Sequence, residues 1–159
     1  MDIVAIVISV LALLSSVAIA FLRWPRVHVQ IKSRQTRAGA MDGPVVAETF
    51  RLVVLNTGSE TVTISNVGLL NVDDAFSWLG ADPIEQEGRP DWLRLVGPDL
   101  PVQIDGHGCV QWTASEDALS FFGQGTRVEG FAHRYRSPWK GLRKSIRIYR
   151  SRVAVRQGP

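Results

Sequence analysis

One uncharged run of 20 residues, Ile3 to Leu22, constrains this chain more than any other feature. Coiled as an α-helix it is about 30 Å long, the thickness of a bilayer's hydrocarbon core. Arg23, Trp24 and Arg26 follow at once, residue types that settle at a membrane interface, and Pro25 removes a backbone donor and ends the helix. Residues 1–25 therefore read as a transmembrane anchor, with the lipid bilayer as first partner.

The flanking charges predict its direction. Only Asp2 precedes the run, whereas Arg23, Arg26, Lys32, Arg34 and Arg37 follow before the next acid, Asp42. Basic flanks stay in the cytoplasm, which puts the amino terminus outside and the remainder of the chain inside a cell membrane. A secretory signal peptide is the rival, because Ala18-Ile19-Ala20 has the small-x-small form of a cleavage site, but the basic segment that opens such a peptide is missing. Cys109 is the single cysteine, which suits a reducing compartment and rules out an internal disulfide. Ala5, Ser9, Ala12, Ser16 and Ala20 share one narrow helix face, where small side chains let a second helix approach; this is the candidate surface for a homo-oligomer. Chance placement of common membrane-helix residues gives the same stripe.

The charges are segregated along the chain. Residues 23–37 hold five cations and no acid, residues 42–129 hold fourteen acids against four arginines, and residues 130–159 hold nine cations and no acid. After the anchor come a basic collar, first strand and loop (26–44), then one domain of ordinary size (45–156). Val27, Val29 and Ile31 alternate with polar residues, the period of a half-buried strand. Phe50 to Leu55 is apolar on both faces except at Arg51, as in a central strand. Asn56-Thr57-Gly58-Ser59-Glu60 has turn chemistry and leads to alternating Val62 and Ile64, so the two strands are expected to form a hairpin. The apolar parity flips after Asn66, which predicts a bulge. Short strands are expected near 77–79 and 93–96, then at Leu100–Ile104, a turn at 105–108, and Val110 and Trp112 on one face. Ser115 opens a short helix ending near Phe122, and 127–135 and 142–155 read as the last strands. Many short strands between Gly, Pro and Asn turns predict a mainly β fold: the N-terminal transmembrane helix, then an immunoglobulin-like antiparallel β-sandwich with one short helix.

The run Phe50 to Leu69, the later Leu100-Pro101 with Gly108-Cys109-Val110-Gln111-Trp112, and the leading anchor together resemble small single-pass membrane-anchored β-sandwich proteins of bacteria and their phages. The shared features are strands and turns, so the resemblance implies a fold and a setting and carries no functional residue.

Chemistry is sparse. His107 and Cys109 share a strand face, but a metal site needs three or four ligands, and loop histidine with ordinary cysteine is the plainer reading. No nucleophile stands beside a recognisable base, Gly123-Gln124-Gly125 follows a helix instead of opening one, and Asp73-Asp74 and Glu85/Glu87 lack calcium-loop spacing. No catalytic, metal or cofactor residue is predicted. Two binding surfaces are. Trp78 and Trp92 lie in an acidic, irregular stretch and are either partner anchors or core. Arg143, Lys144, Arg147, Arg150 and Arg152 make a basic end suited to anionic lipid or an acidic protein, or else a solvated face; nucleic acid fits less well. The expected function is a non-catalytic interaction or scaffold module at the cytoplasmic face of a bacterial membrane. The alternatives are a structural subunit of a larger membrane or phage-related assembly, and an exported ligand-binding domain.

Overall fold

The alternation at Val27, Val29 and Ile31 does produce a strand. In the computed structural model, which describes residues 3–38, 45–74, 77–81, 95–114, 116–135 and 146–155, helix α1 (Ile3–Arg23) passes through Trp24-Pro25-Arg26 into β1 (Val27–Arg37). α1 is long and apolar enough to cross a membrane, and every side chain described on it is exposed.

β2 (Val45–Asn56) lies between β1 and β6 (Cys109–Ala114), antiparallel to both, with Val29 opposite Val54 and Val54 opposite Val110. Leu52 and Val54 on one face are buried in the core, and Val53 and Leu55 on the other face are half-buried. The second sheet runs β4 (Trp78–Gly80), β3 (Val62–Asn71), β7 (Arg127–Tyr135), β8 (Ile146–Arg150), all antiparallel. β5 (Val102–Ile104) pairs with the first half of β3, and β9 (Ala154–Val155) with the start of β7. Phe50, Leu52, Val54 and Trp112 from the first sheet and Val62, Ile64, Val67, Leu69, Leu79, Val128 and Ala132 from the second make one buried core. Helix α2 (Glu116–Leu119) adds Ala118 and Leu119 to it. Trp112 keeps its indole N–H satisfied by donating to the Pro98 carbonyl at 3.1 Å. The chain is thus mainly β, with a leading apolar helix, antiparallel sheets and one short helix.

Three expectations need correction. β2 and β3 are not a hairpin: both edges of β2 are taken by β1 and β6, and the turn after Asn56 carries the chain into the other sheet. Turn residues between two alternating runs look alike for a hairpin and for a crossover. The expected final strand 142–155 is broken, within the described part, into β8 and β9. Ser151 causes the break: its hydroxyl accepts the Gly130 N–H at 2.8 Å in place of a ladder partner and donates to the Arg152 carbonyl at 2.7 Å. The helix expected to reach Phe122 stops at Leu119, and single turn bonds such as Phe122 N to Leu119 O carry the chain on. The irregularity expected at Asn66 is present, as a register shift between Ile64 and Asn66 against β7.

The crossover is also where α1 meets the domain. The Thr57 amide donates to the Arg26 carbonyl at 2.8 Å. A Cβ on Gly58 would lie 2.7 Å from Pro25 Cα and 2.9 Å from Arg26 N, besides striking the Trp24 carbonyl, so only glycine allows this approach. Asn56, 1% exposed, ties the crossover to the turn after β5: its Nδ2 donates to the carbonyls of Glu60, Ile104 and Asp105, and its Oδ1 accepts the Gly58 N–H at 3.1 Å. The carbonyl of Gly58 in turn accepts the amide of His107, which sits in the left-handed region at φ 59°.

Candidate functional site

The outer face of the second sheet carries a groove, and strand register explains it. Directly opposed positions give three rows: Trp78–Leu70–Glu129, Gly80–Gly68–Phe131–Arg150, and Asn66–His133–Ile148. The middle row places two glycines side by side, and the Phe131 ring occupies the space over Gly68. The Phe131 ring lies over Gly68 so closely that a Cβ there would be 2.5 Å from the ring and 2.6 Å from the Leu79 carbonyl. The groove has a volume of about 230 Å³, and Leu70, Trp78, Phe131, His133, Ile148 and Arg150 line it with Asn66.

Its walls are aromatic and its rim is polar. Trp78 meets Phe131 edge-on at 6.4 Å between centroids and 61° between planes, and Phe131 is tilted against His133 at 5.1 Å. Such pairs fix the rings and hold the groove open. Ile148 is 53% exposed at the outer margin. Arg150 Nη1 donates to Glu129 Oε2 at 3.2 Å, which aligns the guanidinium along the rim. This arrangement suits an apolar side chain laid against the aromatic wall, with a polar or anionic group near Arg150.

The structure distributes the sequence candidates as follows. Trp78 is on β4, half-buried, in the groove wall; among the described residues the tryptophan of the core is Trp112. Trp92, Arg143 and Lys144 lie outside the described residues. Arg150 reaches the groove face, but Arg147 alternates to the opposite face, with its guanidinium 5.3 Å from the centre of the Tyr149 ring. Arg152 is exposed beyond Ser151. Ala5, Ser9, Ala12, Ser16 and Ala20 are exposed on α1, where Ser9 donates to the Ala5 carbonyl and Ser16 to the Ala12 carbonyl, each at 2.8 Å. These bonds occupy the hydroxyl protons within the helix. Arg23, Trp24 and Arg26 are exposed at its end. Sequence reasoning missed Phe131, His133, Ile148, Leu70 and Asn66. The alternation of Phe131 with His133 was a signal, but it could not show that β4 would lay Trp78 two strands away.

Among the described residues, no three of His, Cys, Asp and Glu gather as a metal site. Away from the groove, Arg127 holds Asp73 by paired bonds, the shorter 2.5 Å, and this contact lowers the Asp73 carboxyl below its usual 3.8. No protein-family model, curated protein or solved structure matches this chain.

Proposed function

We propose that this protein is a membrane-anchored interaction module that works by binding a protein partner at the cytoplasmic face of the membrane, without catalysis. The observation that carries the reading is the aromatic-walled groove on a solvent-facing sheet, in a domain tied through Thr57 and Gly58 to the end of an apolar, membrane-length helix. Support for the cytoplasmic side comes from the basic flank after α1. The resemblance to bacterial and phage proteins supplies a bacterial setting.

Two measurements test it. Cys109 is exposed and is the single cysteine, so a membrane-impermeant maleimide should label it only after permeabilisation; labelling in intact cells overturns the orientation. A photo-crosslinking residue at position 148, in native membranes, should give one discrete protein adduct that disappears with Trp78→Ala. A smear insensitive to that substitution refutes a groove-directed partner.

A further inference from the structure

Among the described residues each sheet ends in a strand with one unpaired edge, β1 and β8, and these two strands pack side by side. β1 ends one sheet, β8 ends the other, and β1 packs beside both β7 and β8. Among the described residues no strand pairs with the outer edge of either. An open edge presents a row of backbone N–H and C=O groups, ready to pair with another extended chain.

These edges are cationic. β1 carries Lys32, Arg34 and Arg37, β8 carries Arg147 and Arg150, Arg152 follows, and neither strand contains an acid. Arg51 stands directly opposite Lys32, a placement in which like charges repel. Lys32, Arg34, Arg147 and Arg152 are exposed and enter no ion pair among the described residues. Two acids lie near these strands, Glu129 on β7, which Arg150 binds, and Glu48, which is buried on β2; Glu60 and Asp105 sit in turns at the α1 end, and Asp73 and Asp74 lie beyond β3 at the other.

The two features together select a partner. Anionic lipid or nucleic acid would meet the cations and leave the backbone edge unpaired. A second copy of this chain would pair with the edge but bring cation onto cation. An extended acidic polypeptide meets both requirements. We infer that the open edge of β8 takes an extended acidic segment of a partner protein by strand addition. Alternate side chains of the added strand then fall on opposite faces. Apolar ones lie beside Ile148, toward the groove, and acidic ones lie toward Arg147. This inference rests on the interaction-module reading and names the partner's chemistry.

The test uses the full chain in neutral-lipid nanodiscs and a fluorescent peptide of about ten residues alternating valine and glutamate. Saturable, salt-sensitive binding is expected. N-methylation of alternate amides, with side chains unchanged, should weaken it by at least about tenfold, because strand addition needs those N–H groups. The double variant Arg147→Glu, Arg152→Glu should lose the glutamate peptide and gain a lysine counterpart. Ile148→Ser should weaken binding with an unaltered near-ultraviolet spectrum. Equal binding of the N-methylated peptide, or of a scrambled acidic one, overturns strand addition. If no acidic peptide binds while the adduct from position 148 is still recovered, this inference falls and the interaction module stands. Loss of both overturns both.

Discussion

Asn56 is a short polar side chain in a buried position, and it does the work of a turn. Its four hydrogen bonds satisfy carbonyls of Glu60, Ile104 and Asp105 and the amide of Gly58, groups that two meeting loops would otherwise leave unpaired away from water. Asn56→Ala strands them together, and a loss of about 2–3 kcal/mol is expected, read as a lower urea midpoint in detergent. Asp73 is the opposite case, an exposed residue whose effect is pH-dependent. Its folded value is depressed by Arg127, so the stabilisation is present above about pH 3.8 and is lost as pH falls through the lower folded value. Asp73→Asn should lower the midpoint slightly near pH 6, and the difference should shrink as pH falls through the lowered Asp73 value, the effect being small because both partners are exposed. Neither residue could be assigned these roles from sequence. Asn56 was legible as a turn former, but two of the three carbonyls it holds lie 48 and 49 residues downstream.

Strands were easier to read than their pairing. Alternation gave β1, and two-sided apolarity gave β2 as a central strand, because burial acts on each residue where it stands. Whether β2 and β3 pair depends on what else competes for the edges of β2, and β6, more than 50 residues on, wins that competition. The groove is a further step removed. It needs β4, β3, β7 and β8 in register, so that Gly80 faces Gly68 and Phe131 covers the gap. Gly68→Ala tests that account. The new methyl would press on the Leu79 carbonyl, which belongs to the backbone, and on the Phe131 ring. A destabilisation of about 1–3 kcal/mol is expected, with a changed Trp78 emission as Phe131 is displaced. The basic end shows the same limit. Its charge was visible in sequence, and alternation along the strand expected at 142–155 already puts Arg150 and Arg147 on opposite faces; that the Arg150 face carries the groove was not legible, because it depends on β4, β3 and β7.

At the scale of the whole molecule, the segregated charges of the sequence become sides of a solid. The cations collect along the two open edges, and the turns at either end carry acids. That distribution leaves the domain asymmetric around the axis of its strands, so the direction in which it faces matters. The bond from Thr57 to Arg26 and the contact at Gly58 then take on a mechanical meaning. Trp24 and Pro25 alone separate the end of α1 from a residue held by the domain, so the joint has little torsional play. A helix that turns about its own axis swings the groove with it, like a key turning its bit. Adding one alanine within α1 should re-aim the groove by about 100°, and adding four should nearly restore it, since 3.6 residues make a turn. Crosslinking yield from position 148 should follow that cycle, and Gly58→Val should flatten it. The apolar helix would then be a bearing that sets compass direction as well as depth.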